Sequence, residues 1–147
     1  MMRKCSNGRS LLMIDIGSVE NELGSTWVPF VVLLTAWSMD LIKSEGLSNL
    51  VRFLLAKGAK TFVCIGDYSE ILHDEIDEII YEYDAESNIS NASEILTTYH
   101  EGESVDDAVN YFVHGTEIPS NKNGGLLALM GVDDQEVELS LIARMSM

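Results

Sequence analysis

His73 and Asp77 stand four residues apart inside the run DYSEILHDEIDEIIYEYD, residues 67–84, and on a helix that spacing puts both on one face. With Glu70 or Asp74 they would offer a metal ion three ligands. That chemistry is thin, because zinc takes two or three nitrogen or sulfur ligands, calcium takes a dedicated loop of oxygens, and HxxxD supplies neither. A second group follows four apolar runs: Trp37, Ser38 and Asp40, then Asp67 and Tyr68, then His100 and Glu101, then Asp133 and Asp134. If the runs are parallel strands, these residues gather at the strand carboxyl ends, where open α/β sheets bind their ligands. Trp37, Asp40, Asp67, His100 and Asp133 are the candidates for such a site. The competing role for Asp67, Ser69, Ser104 and Asp133 is helix N-capping, in which the side chain accepts a backbone N–H bond. His100 and His114 have no partner at metal-ligand spacing, and neither Cys64 nor any serine lies in a nucleophile elbow. A phosphate or dinucleotide site needs a glycine-rich turn between strand and helix, and none of the four turns has one; Asn123-Gly124-Gly125 precedes a strand and reads as a turn. No cofactor is expected.

The elements that would position these residues follow from periodicity. Trp27 to Thr35, Thr61 to Gly66, Glu94 to Tyr99 and Leu126 to Val132 are short apolar runs without alternation, the pattern of strands covered on both faces. Each precedes a stretch of helical spacing. The first carries Leu47, Leu50, Val51, Leu54 and Leu55 and closes at Gly58, and the second carries Leu72, Ile76, Ile79, Ile80 and Tyr83 behind a candidate cap at Ser69. The third opens on Ser104-Val-Asp-Asp107, a variant of the capping box, and presents Val105, Ala108, Val109, Phe112 and Val113 before Gly115. The fourth begins near Asp133 or Asp134 and carries Val137, Leu141 and Ile142, with Arg144 near its end, where a cation suits the dipole. The alternation predicts a single-domain α/β sandwich on a mostly parallel sheet, Rossmann-like or flavodoxin-like in outline. Residues 1–26, with the run Leu11 to Ile16, add an N-terminal edge strand and loop to the α/β unit of 27–147. A receiver-like phosphoacceptor domain fits the length, with Asp67 at a strand end. It also needs an acidic pair after the first strand and a lysine after the last, and this sequence has neither.

No apolar run reaches the roughly 18 residues of a membrane span, and the short segment LLMIDIG, broken by Asp15, makes a poor secretion signal. Two cysteines build no disulfide framework, and Cys64 sits in an apolar run as a small buried hydrophobe. A reducing cytoplasm is the expected compartment, and Asn88-Ile-Ser90 and Asn91-Ala-Ser93 then match the glycosylation pattern by chance.

The net charge is −15, and its distribution says more than its size. Residues 61–121 hold fifteen Asp and Glu and no Lys or Arg, while the rest of the chain has nine of each sign. Glu70 and Asp74, Asp74 and Glu78, and Glu78 and Glu82 are like-charged i, i+4 pairs, each costing about 0.2–0.5 kcal/mol in an isolated helix. Solubility alone is met by interspersed signs; segregation makes a single-signed field that attracts a basic partner and repels nucleic acid. The expectation is an acidic binding protein that captures a basic toxin or nuclease domain, in the manner of immunity proteins or nucleic-acid-mimicking inhibitors, without direct nucleic-acid or membrane binding. Its contact residues would be Glu70, Asp74, Asp77, Glu78 and Glu82, with His73 and Glu75 on the rim. The rivals are a small enzyme or ligand-binding domain using the strand-end residues, and an adaptor using Trp27, Trp37 or the Met-containing C-terminus as an apolar contact.

Overall fold

Phe30–Thr35, sequence FVVLLT, has no polar residue before its last position, because it is buried on both sides. Phe30, Val32 and Leu34 enter one core and Val31 and Leu33 the other, as the two-residue period of a strand requires. The computed structural model describes residues 2–23, 29–87, 95–116 and 125–145. Within them the strands are β1 (Met2–Lys4), β2 (Ser10–Asp15), β3 (Phe30–Thr35), β4 (Ala59–Ile65), β5 (Leu96–Tyr99) and β6 (Gly125–Met130). They form one six-stranded sheet in the order β1-β2-β6-β3-β4-β5, with every neighbouring pair parallel except β1 and β2. The chain is a single α/β domain with a mostly parallel sheet. Trp27, Val28, Glu94, both Asn-x-Ser sites and Asn123-Gly124 lie outside the described residues. Where the expected strands can be compared they are trimmed or extended by one to two residues, and the run Leu11 to Ile16 is interior rather than an edge: β2 lies between β1 and β6.

The helices are α1 (Val19–Glu22), α2 (Asp40–Lys43), α3 (Gly46–Lys57), α4 (Ser69–Ser87), α5 (Val105–Asn110), which runs on through a π-helical turn at Tyr111–Gly115, and α6 (Gln135–Ile142). α1, α3 and α4 bury Val19, Leu47, Val51, Leu54, Leu72 and Ile76 on one face of the sheet; α5, its π turn and α6 bury Val109, Phe112, Val113, Val137 and Leu141 on the other. The chain passes from β2 through β3 and β4 to β5 in one direction across the sheet with its helices on the first face. It then returns from β5 to β6 with α5 on the second. The reversal of direction goes with the change of face, as right-handed crossovers require.

Three local features hold the strand ends in place. Gly58 ends α3 in the left-handed conformation at φ 108° and donates to Leu54 and Leu55 carbonyls, the expected glycine cap. Gly66, at φ 118°, lets the backbone turn out of β4 against Ala36, where a Cβ would stand 2.6 Å from the Ala36 carbonyl oxygen. The π turn, whose carbonyls lack the regular i+4 donors, is closed by Arg9, which donates to Val113 and Thr116 oxygens at 3.3 and 2.8 Å, and by Asn7, which donates to Val113 at 3.0 Å.

Candidate functional site

α4 turns Leu72, Ile76, Ile79 and Ile80 into the core and leaves Glu70, Asp74, Glu75, Asp77, Glu78 and Glu82 exposed on its outer side. Burial of those four aliphatic side chains contributes ~6–12 kcal/mol, against ~1 kcal/mol for the three like-charged pairs, so the helix forms despite its acids. Packing secures the helix and leaves the charge on its outside free to serve something else. Tyr81 stands on this acidic side, one turn beyond Asp77 and Glu78, and is 76 % exposed; Ile71, in the first turn of the helix, is also exposed. The sequence gives no helical lysine or arginine to these acids, but the fold does at one end. Arg52 of α3 reaches Glu86 at 2.7 Å and Glu82 at 3.8 Å, so Glu82 shares a cation while Glu70, Asp74, Glu75 and Glu78 have no Lys or Arg in an ion pair among the described residues.

His73 lies at the flank of this face, its ring nitrogens 3.0 Å from Asp74 and 3.5 Å from Asp77, and its ring edge against Tyr99 at 5.0 Å. Among the described residues no three His, Cys, Asp or Glu side chains are placed to hold a metal ion, so the HxxxD spacing binds the histidine to its neighbours only. The negative charge of Glu70 beside Tyr99, and then the hydrogen bond between them, pushes the phenol above its ordinary pKa. The acidic field thus extends from α4 onto β5.

The strand-end candidates divide into two groups. Trp37, Asp40 and Asp133 meet in a crevice between the carboxyl ends of β3 and β6, whereas Asp67 stands exposed after β4 and does not line it. His100, after β5, is 9 % exposed and engaged on both ring nitrogens: Nδ1 is 2.9 Å from Glu103, Nε2 is 3.2 Å from Thr98, and the ring lies tilted against Tyr111 at 4.6 Å. Capping explains fewer of these residues than expected. Ser104 does accept from the Asp107 N–H at 3.1 Å. Ser69 is instead the first residue of α4, with its hydroxyl buried and without a hydrogen-bond partner among the described residues. The Glu70 N–H is met from outside, by Glu101 at 3.4 Å. Neither Asp67 nor Asp133 is the cap of the helix that follows it, the position before α6 being Asp134.

Asp134 is the residue that sequence reasoning undervalued. It is 3 % exposed and caps no helix N–H with its side chain; its carboxylate takes the Trp37 indole N–H at 2.6 Å, the Thr35 hydroxyl at 3.0 Å and the Gly131 N–H at 2.7 Å. Thr35 ends β3 and Gly131 follows β6, so one carboxylate ties the two strand ends together and fixes the indole. Trp37, and Met145 of the Met-containing C-terminus, are half-buried and pack on the second core rather than standing free as apolar contacts; Trp27 lies outside the described residues.

A family model described as a domain of unknown function (DUF7684) matches residues 17–145. No curated protein and no solved structure matches the chain.

Proposed function

The chain belongs to the DUF7684 family, and from that premise we propose that it is a binding protein that captures a cationic protein partner, a toxin or nuclease domain, on the outer face of α4. The observation that carries this reading is an exposed tyrosine on a face of carboxylates that have no Lys or Arg partner among the described residues: Tyr81, at 76 % exposure, with Asp74, Asp77 and Glu78 on the same side of the helix. Tyrosine is enriched at the centres of interfaces because it carries a large rigid area and a polar tip, and hot spots pair with arginine on the partner. The carboxylates act earlier and over a longer range. A single-signed field raises the encounter rate with a basic surface, and nuclease clefts are basic because they hold phosphates. Successive turns of α4 present carboxylates roughly 5.4 Å apart along the axis, a row of negative charge in place of a phosphate backbone. A domain of this kind works in the cytoplasm, without a cofactor and without binding nucleic acid itself.

The experiment takes the basic protein encoded beside the gene, or bound to the chain in its native host, and measures association kinetics at low and high salt. Asp74→Lys/Glu78→Lys should slow association several-fold at low salt and less at high salt, and Tyr81→Ala should speed dissociation by about tenfold, as for one interface anchor. A partner that is acidic, or a double reversal that associates as fast as the parent at low salt, overturns the reading.

A further inference from the structure

The crevice between β3 and β6 takes no part in that reading. β6 is followed by α6 on one face of the sheet, while its neighbours β2 and β3 are followed by α1 and α2 toward the other, so the chains part at the carboxyl end of β6. Such a parting is where an open α/β sheet leaves room for a ligand. The crevice has a volume of about 210 Å³ and is walled by Ile16, Leu41, Leu129 and Val132, with Trp37, Ser38, Asp40 and Asp133 around its mouth. What makes it more than an acidic patch is its construction. The buried Asp134 carboxylate locks the Trp37 indole by its N–H, so an aromatic surface is held ready at the rim, and Val132 stands 90 % exposed beside it.

We propose that this crevice binds a small organic cation, a primary or quaternary ammonium compound, between the Trp37 indole and the carboxylates of Asp40 and Asp133. Three properties of the lining select that class. Asp40, Asp133 and Asp134 are its charged residues and no Lys, Arg or His joins them among the described residues, which disfavours an anion. No three His, Cys, Asp or Glu side chains converge closely enough for a metal ion among the described residues, whereas a lining that combines carboxylates, an indole and aliphatic walls suits an ammonium group on an apolar body. The volume falls below the roughly 300–1,000 Å³ of drug-sized sites, so the molecule is small. Asp134 holds the site in shape through its three donors, and Asp40 and Asp133, both exposed, meet the charge.

The test uses the full chain with Trp27→Phe, which leaves Trp37 as the single tryptophan. Its fluorescence is followed during titration with choline, ethanolammonium and putrescine chlorides, and with sodium acetate, inorganic phosphate and sodium chloride at matched ionic strength, with calorimetry on the parent chain beside it. Saturable binding of at least one ammonium compound is expected, with none for the sodium salts. Asp40→Asn and Asp133→Asn should each weaken it by about tenfold, the loss of one charge-assisted contact. Asp74→Lys/Glu78→Lys should leave it unchanged, which separates this site from capture by α4. The site is overturned if no ammonium compound saturates, if sodium chloride or an anion gives the same response, or if the Asp40→Asn/Asp133→Asn double variant binds as the parent does. The parent titration decides by itself whether or not a variant folds.

Discussion

A single buried carboxylate, Asp134, organises the strand ends, and its removal has a computable consequence. Asp134→Ala leaves the Trp37 indole, the Thr35 hydroxyl and the Gly131 N–H without their acceptor, which should destabilise the fold by about 2–4 kcal/mol in urea denaturation and shift the Trp37 emission to the red. Asp133→Ala, one residue away and exposed, should change stability by less than about 0.5 kcal/mol. That contrast also marks how far the sequence is readable here. Two adjacent aspartates after a strand are equivalent in any pattern, and which one turns inward depends on the backbone at Gly131 and on a tryptophan 97 positions away. The burial of Cys64, by contrast, is legible from the apolar run around it. Both thiols are buried, and burial raises the pKa of each, so both should resist thiol reagents in the native chain at neutral pH and react once it is unfolded. Rapid labelling of Cys64 without denaturant would mean that β4 opens readily.

Helices and strands are legible where one period dominates, as in the stripe Leu72, Ile76, Ile79, Ile80 and in the unbroken run of β3. The order of strands is not, because insertion of β6 between β2 and β3 rests on pairings 115 residues apart to β2 (Leu11 with Leu126) and 95 apart to β3 (Phe30 with Gly125), with no local signature. The Ser69 cap fails for a related reason: a carboxylate from the loop after β5 reaches the start of α4, which no pattern within the helix reveals. Glycines are more telling. Gly66→Ala puts a side chain into the left-handed region and 2.6 Å from a carbonyl oxygen, and should cost about 2 kcal/mol or more in a melting experiment, with Gly102→Ala, at positive φ but in open space, costing less. The α5 to α6 contact is held by Asp106, which accepts from Arg144 at 2.9 Å and from Ser140 at 2.8 Å; these donors hold its carboxyl below the usual range. A depressed carboxyl pKa gives stability that is present above the unfolded value and lost as pH falls through the folded one. Asp106→Asn should therefore reduce stability at neutral pH and make the loss below about pH 4 shallower, since that proton-linked contribution is already gone.

At the scale of the whole molecule the charge of −15 is a cost that the fold carries, and salt measures it. Screening shortens from about 30 Å at 0.01 M salt to about 8 Å at physiological strength, so repulsion spread along and beyond α4 is felt in the first condition and largely lost in the second. Among the described residues, Arg52, bound to Glu82 and Glu86, offsets it at the far end of the helix. Raising sodium chloride over that range should therefore raise the melting temperature of the parent. Asp74→Lys/Glu78→Lys turns the pairs 70/74 and 78/82 from repulsive to attractive and keeps one like-charged pair, at 74/78, so it should stabilise the chain by up to about 1 kcal/mol at low salt and flatten the salt dependence. The same change is expected to impair capture of a basic partner. A variant that is more stable and binds less tightly would mean that the segregated charge is kept for association at the expense of stability, as binding surfaces commonly are. If the melting temperature falls with salt instead, attraction to Arg52 and the other cations outweighs repulsion among the acids, and the field around α4 is weaker than its count of carboxylates implies.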